Sequence, residues 1–353
     1  MRRITIGDVA RHAGVSRKTV SRVVNREANV SDKLRRKVEK IVAQLNYEPD
    51  RQARSLRSGR SFHVAFLYAS PSSYYVIRLL EGIRKACAEH GYQLVPLETD
   101  ARGSRLVLAL LEFLERERAD GLIMMPPMTD NEQLLAVLNE EGIPYARITP
   151  GSVRPNMIDV VTTGRAAGRE MVRHLLGLGH RRIGFVAGHP DHIAMAERLE
   201  GAEEAIAGWE GAPAELVIRH GLNNFDSGLA AARELLDLDP RPTAIFAAND
   251  DMASGVIFEA HERSLRVPDD LSIADFDDTL LAPHIWPGLT TIHQPIAELG
   301  EHATQKLFAQ IKGQPVEPVT EIATSFVERR STGRVPGRSD SAQVSSAAEP
   351  LSP

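Results

Sequence analysis

Apolar positions in the first 45 residues recur at helical spacing in three short stretches. They are Ile6, Val9, Ala10 and Ala13; Val20, Val23 and Val24; and Leu34, Val38, Ile41, Val42 and Leu45. Thr5 and Asp8 have the spacing of a capping box, which would start the first helix. Gly14 suits the left-handed backbone that ends it, and Ser16 suits the cap of the second. Two short helices joined by a tight glycine turn predict a helix-turn-helix unit.

From Phe62 the pattern changes to short apolar runs that alternate with amphipathic helical runs. Helices are predicted near 76–90, 104–118, 131–141, 164–178, 193–207, 226–236, 251–263 and 296–311, and a last strand at 320–327. We take the second series of elements to restart after Asp159. Repeated β-α order predicts an α/β body with parallel sheets and helices on both faces, and two such series predict two similar lobes.

A short basic stretch separates the two patterns. Pro49 and Gly59 bound it, and its arginines at 51, 54 and 57 share one helix face, where they repel one another. So short a helix is unstable alone, but phosphates would neutralise the arginines and order it; the alternative is a flexible linker. The end of the chain is rich in Ser, Ala and Pro, which is typical of disorder. We therefore predict a headpiece at 1–46, a hinge at 47–60, a two-lobed body at 61–334 and a disordered tail at 335–353.

Charge is distributed unevenly along the 353 residues. The first 60 hold 16 Lys and Arg against 6 Asp and Glu, a net charge of +10, whereas the whole chain carries −5 and the remainder −15. A basic head on an acidic body favours a polyanionic partner held by the head alone. Binding through phosphates would be strongly salt-dependent.

Several classes of protein are disfavoured by what the sequence lacks. The single cysteine, Cys87, allows no internal disulfide. No signal-peptide pattern opens the chain and no apolar run approaches about 18 residues, so we expect a cytoplasmic protein without a membrane anchor. The nucleophile-elbow, zinc-protease, P-loop and dinucleotide motifs are absent. We expect no enzyme activity, no metal and no cofactor.

The string A-G-V-S-R-K-T-V-S-R-V-V-N, from Ala13 to Asn25, resembles the headpiece of the lactose-repressor/galactose-repressor (LacI/GalR) family of bacterial transcription regulators. This resemblance implies that the second helix lies in the DNA major groove, where Arg17, Lys18 and Arg22 read bases. The stretch 46–60 resembles the family's hinge helix, with Leu56 as the residue that inserts into the minor groove. The expected DNA-binding residues are Thr5, Ser16, Arg17, Lys18, Thr19, Ser21, Arg22, Asn25, Arg51, Ala53, Arg54 and Leu56.

The body resembles the type I periplasmic sugar-binding fold, which implies an effector cleft between the lobes. Open α/β sheets bind ligands beyond the carboxyl ends of their strands, and polar residues follow several strand patterns here. The expected effector-binding residues are Ser72, Ser73, Tyr74, Thr149, Arg198, Asn223, Asn249, Asp277 and Gln294. Alternatively, Arg198 only bridges loops and Asn249 only caps a helix. An arginine near the cleft, Arg147, would suit an acidic sugar, which we do not rank above a neutral one.

Together these features predict a sequence-specific transcription regulator, most simply a repressor. It would bind a pseudo-palindromic operator in double-stranded DNA as a homodimer and respond to a small-molecule effector, expected to be a carbohydrate. A leucine-rich C-terminal helix of the kind that makes some relatives tetramers is not apparent. Activation is a variant of the same reading. A sugar-transport protein would share the body but has no need of the basic head, and an enzyme would need a catalytic constellation.

Overall fold

The computed structural model describes residues 4–24, 30–45, 47, 59–69, 72–99, 103–189 and 192–335. The chain forms two compact units that divide between Phe62 and His63. Most of the predicted hinge, at 48–58, and the tail beyond 335 lie outside the described residues. Among those described, no helix is both long and apolar enough to cross a bilayer.

The first unit contains the predicted three helices, α1 (Ile6–Ala13), α2 (Arg17–Val24) and α3 (Asp32–Gln44). Their apolar stripes close a small core centred on Val9, Val20 and Val38, all fully buried. The capping box is confirmed, since the Asp8 backbone N–H donates to Thr5 Oγ1 at 3.3 Å and the Thr5 N–H donates to Asp8. Gly14 ends α1 with φ of 64°, as predicted.

The second unit consists of two six-stranded sheets with helices on both faces. Its strands are β1 (His63–Tyr68), β2 (Gln93–Glu98), β3 (Gly121–Met124), β4 (Tyr145–Ile148), β5 (Ile158–Thr162), β6 (Arg182–Ala187), β7 (Glu215–His220), β8 (Ala244–Ala247), β9 (Ser272–Asp277), β10 (Thr290–His293), β11 (Val319–Ile322) and β12 (Ser325–Val327). Its helices are α4 (Ser73–His90), α5 (Gly103–Glu117), α6 (Glu132–Glu140), α7 (Gly164–Gly177), α8 (Ile193–Ala207), α9 (Phe225–Leu236), α10 (Asp250–Glu262) and α11 (Ile296–Ile311).

Each sheet defines one lobe. The N-lobe sheet has the order β11-β5-β4-β3-β1-β2 and the C-lobe sheet the order β12-β10-β9-β8-β6-β7. All neighbouring strands are parallel except β12, which runs antiparallel to β10. Central strands such as β8 and β9 are buried along their whole length because helices cover both faces. The predicted α/β body with two similar lobes is therefore confirmed.

Two predictions about the strands were wrong. The segment 320–327 is not one strand but two, because the chain leaves the N-lobe sheet after Ile322 and enters the C-lobe sheet at Ser325. Thr324 marks this crossing, and its N–H donates to Thr163 Oγ1 at 3.0 Å, where the chain also crosses between lobes. In addition, β5 precedes the second series and was not predicted.

Helix α11 belongs to the N-lobe although it follows the C-lobe strands in sequence. It packs on α4, where a side chain at Gly82 would collide with the carbonyl oxygen of Ala297, at 1.7 Å from the added carbon. Lys85 Nζ and Glu301 Oε2 pair across the same contact at 2.9 Å. The chain therefore passes between the lobes three times, before α7, before α11 and between β11 and β12.

Candidate functional site

A cleft lies where the carboxyl ends of strands from both lobes meet. It encloses about 470 Å³, part of it open to solvent. Its walls are formed by Ser72, Tyr75, Met125, Pro126, Thr149, His192, Met195, Arg198, Asn223, Asn249 and Asp277. Six of the predicted effector-binding residues line it, namely Ser72, Thr149, Arg198, Asn223, Asn249 and Asp277. The position follows from the general rule for parallel sheets, which place their loops and helix N-termini at this edge.

Asp277 is the buried acid of the cleft. Its Oδ1 accepts a hydrogen bond from Gln294 Nε2 at 2.5 Å and lies 3.1 Å from Arg198 Nη2. Burial raises the pKa of the Asp277 carboxyl to about 7, because Arg198 offsets only part of the desolvation and Asp250 adds like-charge repulsion. Asp277 is therefore poised to lose its proton near neutral pH.

Arg198 is held from three sides. Besides Asp277, it donates through Nη1 to the Ala248 carbonyl oxygen. Its guanidinium carbon lies 3.7 Å from the centre of the Phe276 ring, a cation–π contact. The side chain bridges loops, as the alternative reading held, and it also lines the cleft.

The two asparagines of the C-lobe wall are held in place by hydrogen bonds from their side-chain amides. Asn249 Oδ1 accepts from the Met252 N–H at 3.0 Å and so caps α10, while its Nδ2 donates to the Asn223 carbonyl at 3.2 Å. Asn223 Oδ1 accepts from the His189 N–H at 3.0 Å, and its Nδ2 lies 2.8 Å from His192 Nδ1. Asn249 therefore combines the cap of the alternative reading with a place in the cleft wall.

Three cleft residues have left-handed backbone. Thr149 has φ of 45°, Asn223 of 62° and Asp277 of 110°, values that residues with a side chain rarely adopt. Strain of this kind persists only where surrounding contacts hold it, and it concentrates at ligand-binding and switch regions. Its coincidence with strand ends on both sides of the cleft supports a functional role for this edge.

The N-lobe wall presents hydroxyl groups and apolar surface. Tyr75 bonds to the Thr149 hydroxyl, and burial, followed by the nearby Asp277, raises the pKa of its phenol. The N-lobe wall is completed by Met125, Pro126 and Ser72. This wall therefore offers neutral hydrogen-bonding groups rather than charges.

Three predicted effector residues are not part of the cleft lining. Ser73 and Tyr74 face solvent on α4, and Tyr74 is 39% exposed. Gln294 lies behind Asp277 and bonds to it. Helix geometry explains why Ser73 and Tyr74 lie outside the cleft. Successive side chains on a helix are rotated by about 100°, and it is Tyr75, one residue after Tyr74, that points inward.

Arg147 is not available to a ligand, which removes the argument for an acidic sugar. It is 0% exposed and binds Asp159 through Nε and Nη2, both at 2.7 Å. Its remaining N–H groups donate to the Thr129 and Ser152 carbonyls at 3.0 Å. The arginine is thus a sealed part of the N-lobe.

The expected effector-binding residues did not include five others that also line the cleft, namely Tyr75, His192, Met195, Met125 and Pro126. Tyr75 could have been found from the apolar face of α4, since Val76 and Leu79 fix which side is buried. The two methionines carry no polar signal. Among the described residues, no group of three His, Cys, Asp or Glu side chains is arranged to hold a metal ion.

The headpiece presents its own candidate surface on α2. Arg17 and Lys18 are exposed, whereas Ser21 and Arg22 are half-buried. Ser16 Oγ accepts from the Thr19 N–H at 3.0 Å and lies 2.9 Å from Thr19 Oγ1, so both hydroxyls serve the helix start. Thr5 is engaged in the cap of α1. Five predicted DNA-binding residues lie outside the described residues: Asn25, Arg51, Ala53, Arg54 and Leu56.

Arg17 does not extend freely from α2. Its guanidinium passes over Gly7 in α1, where an added side-chain carbon would lie 3.2 Å from Arg17 Nε. Lys18, the next residue, is likewise exposed at the start of the helix. Both lie on the second helix of the helix-turn-helix unit, outside its apolar core.

Comparison with known proteins covers both units. Residues 5–50 match the family model for bacterial regulatory proteins of the lacI family, and residues 172–332 match that for a periplasmic binding protein-like domain. The HTH-type transcriptional repressor PurR of Escherichia coli O139:H28 is 34% identical over 337 residues, 95% of this chain and 98% of the relative. PurR of Vibrio atlanticus is 31% identical over 328 residues, 92% and 97% of the two chains.

Solved structures share the same architecture. The lac repressor dimer bound to operator and the anti-inducer ONPF aligns with a TM-score of 0.72 and 29% identity, over 94% of this chain and 100% of that chain. A complex of the transcriptional regulator CelR with cellobiose aligns with a TM-score of 0.70 and 31% identity, over 93% and 100%. The similarity spans the headpiece and the body together.

Proposed function

This chain belongs to the LacI family of bacterial regulatory proteins and is therefore a DNA-binding transcriptional repressor with a ligand-binding domain, and we propose that the ligand is a neutral sugar or sugar derivative held in the cleft between the lobes. Its relatives are repressors, and the chain is not an enzyme.

The observation that carries the proposal is the chemical mixture on the two walls. Asp277 and Arg198 are paired at 3.1 Å, so the guanidinium that would attract an anionic ligand already faces an acid of the protein. Sugar hydroxyls need acceptors and donors in pairs, which the carboxylate, amides and hydroxyls of the cleft supply. Apolar faces of Met125, Met195 and Pro126 match the C–H face of a sugar ring.

Residue roles follow from this arrangement. Asp277, Arg198, Asn223, Asn249, Ser72, Thr149 and Tyr75 are proposed to contact the effector, and Gln294 to position Asp277. Ser73 and Tyr74 are not proposed, because they face solvent. The CelR regulator, at 31% identity, forms a complex with cellobiose, which supports a carbohydrate effector.

We further propose that the chain acts as a homodimer on a pseudo-palindromic operator in the cytoplasm. Arg17, Lys18 and Arg22 are proposed to read bases, and the net charge of +10 in the first 60 residues supports phosphate contacts. The hinge helix and the Leu56 wedge remain part of the proposal although they lie outside the described residues. Effector binding would change the angle between the lobes and, through the hinge, operator affinity.

An unpartnered apolar surface on the C-lobe supports the dimer. Leu222, Phe225 and Phe258 are exposed, and the two phenylalanine rings meet edge to face with centroids 5.7 Å apart. Exposed apolar clusters of this kind mark interaction sites. The lac repressor structure aligned above is itself a dimer.

The effector is tested by thermal unfolding of the full chain against mono- and disaccharides including cellobiose, sugar acids, sugar phosphates and purines. A ligand at ~100 times its dissociation constant stabilises by about 2.7 kcal/mol. We expect the shift from neutral sugars, and we expect it to be lost in Asp277→Asn and kept in the solvent-facing control Ser73→Ala. Stabilisation only by purines or by phosphorylated or acidic sugars would replace the proposal, and no stabilisation by any member would refute it.

A further inference from the structure

Two buried carboxyl groups are neighbours in the C-lobe, where α10 packs on β9. Asp250 begins α10 and is 1% exposed, and Asp275 lies on β9 and is 0% exposed. One oxygen of each accepts from a backbone N–H: Asp250 Oδ2 from Thr279 at 2.6 Å and Asp275 Oδ1 from Phe276 at 2.5 Å. The other oxygens, Asp250 Oδ1 and Asp275 Oδ2, are buried, and no amide, hydroxyl or cationic group of the described residues donates to them.

These side chains are hydrogen-bonding neighbours, which two ionised carboxylates cannot be. An ionised carboxylate only accepts hydrogen bonds, so contact between two of them requires a proton. Two like charges buried this deeply repel each other strongly, and one carboxyl group of such a pair keeps its proton. Burial first, and then the charge of Asp250, raises the pKa of Asp275 well above its usual range.

We infer that Asp275 is a neutral carboxylic acid that donates its proton to Asp250, and that this shared proton positions the turn that carries Asp277. Asp250 grips the turn directly, since it accepts from the Thr279 N–H two residues after Asp277. Asp277 and Asp278 have φ of 110° and 56°. A strained turn of this kind needs such a hold to persist.

One cation, Arg198 on α8, acts on the acids around this pair. The other charged and titratable groups in these interactions include Asp277 on β9, Asp251 on α10 and Tyr75 on α4. Arg198 is already engaged by Asp277, the Ala248 carbonyl and the Phe276 ring. The remaining groups are acids, which favour retention of the proton.

Asp275 is thus a positioning residue and not a ligand contact. Its meaning for effector binding rests on the proposed role of Asp277, but the existence of the shared proton does not. The inference is therefore tested without any ligand.

Infrared spectroscopy of the full chain in D₂O at pH 8.5 tests the proton directly. We expect a carbonyl band of one protonated carboxyl group per chain, at a pH where ordinary aspartates are ionised. The band should vanish in Asp275→Asn and persist in Asp251→Asn, the matched loss of a neighbouring acid. A wild-type spectrum without the band, or a band unchanged in Asp275→Asn, would overturn the inference.

The pH profile of thermal unfolding provides the second readout. The folded pair keeps a proton that the unfolded chain loses above pH 3.8, so wild-type stability must fall as pH rises above that value. One proton corresponds to a tenfold change in the unfolding equilibrium per pH unit. Asp275→Asn should fold and lose this slope, because its amide donates to Asp250 without titrating, whereas Asp275→Ala should destabilise at every pH.

An equal slope in wild type and Asp275→Asn would also refute the shared proton. If Asp275→Asn does not fold, Asp250→Asn replaces it, since its amide donates to Asp275 in the reverse direction and must equally remove the band. A chain that shows the band but binds no sugar leaves this inference intact and refutes the proposed effector. A chain that binds sugar without the band does the opposite.

Discussion

Two buried arginines, one in each lobe, each pair with a buried aspartate, but only one of these pairs lines the cleft. Arg147 donates to Asp159 through two N–H groups and to two backbone carbonyls, and both side chains are fully buried. Arg198 pairs with Asp277 through one nitrogen, Nη2, at 3.1 Å. Its guanidinium also stacks on the Phe276 ring and lines the cleft. When protein groups satisfy the hydrogen bonds of an ion pair, as they do for Arg147 and Asp159, the pair stabilises the fold and has no donor left for a ligand. A pair left partly open to a cleft, with an acid that titrates near neutrality, is available to a ligand.

Breaking the sealed pair should have the largest effect. Arg147→Met leaves Asp159 buried without a counter-charge, and removal of one partner of a buried pair costs about 3–5 kcal/mol. Urea unfolding should show this loss at pH 7.5. Arg154, which is partly exposed and pairs with the exposed Glu132, is the control: Arg154→Met should change stability by less than about 1 kcal/mol. Equal losses in the two variants would contradict the distinction.

Breaking the open pair should remove the ligand response more than the fold. In Arg198→Met, Asp277 keeps Gln294 as a donor and can take up a proton, so its burial costs less than that of Asp159. We expect the stabilisation of about 2.7 kcal/mol at ~100 times the dissociation constant to disappear from ligand titrations followed by thermal unfolding. A retained response together with a collapse of stability would reverse the roles of the two arginines.

The titration of Asp277 sharpens the comparison further. Its folded pKa of about 7 lies above the unfolded value of 3.8, so the folded state binds more protons and wild-type stability falls as pH rises between those values. Asp277→Asn should flatten this fall by up to about 1.4 kcal/mol per pH unit. Calorimetric melts from pH 4 to pH 9 measure it. If the free energy of unfolding continues to fall well above pH 7, that part of the pH dependence would belong to Asp275 instead.

The smallest expected effect separates two adjacent tyrosines. Tyr75→Phe removes a phenol that bonds to Thr149 at the cleft and should weaken effector binding by about 0.5–1.5 kcal/mol. Tyr74→Phe should leave affinity unchanged, because Tyr74 is 39% exposed on the other side of α4. Isothermal titration with the sugar that stabilises most compares them. An equal loss in both would return Tyr74 to the site.

The sequence predicted the architecture well because periodicity and caps are local signals. The ends of α8 and α11 were predicted to the residue, and Thr5, Gly14 and Ser16 act at the helix ends as their chemistry required. Asp277 and Asn249 were placed at the cleft because strand ends of parallel sheets converge. These inferences needed only a few neighbouring residues each.

What could not be predicted depends on three-dimensional neighbours. The run 320–327 looks like one strand, and only the positions of the two sheets decide that it divides at Ala323 and Thr324. Arg147 resembled a cleft residue until Asp159, on the unpredicted β5, was found to seal it. Asp275 reads as an ordinary polar position at the end of a strand, and its unusual state follows from Asp250, which is distant in sequence.

The three passages of the chain between the lobes also determine when each lobe can be finished during synthesis. The C-lobe draws all but its β12 edge strand from one stretch of the chain, whereas the N-lobe needs α11 and β11, which are made long after β1 to β5. The surface of α4 that receives α11 at Gly82 and Lys85 stays uncovered while some 200 further residues emerge from the ribosome at about 5–20 residues per second. For those tens of seconds the N-lobe, although it is translated first, cannot be completed, and the face of α4 that α11 will cover stays exposed.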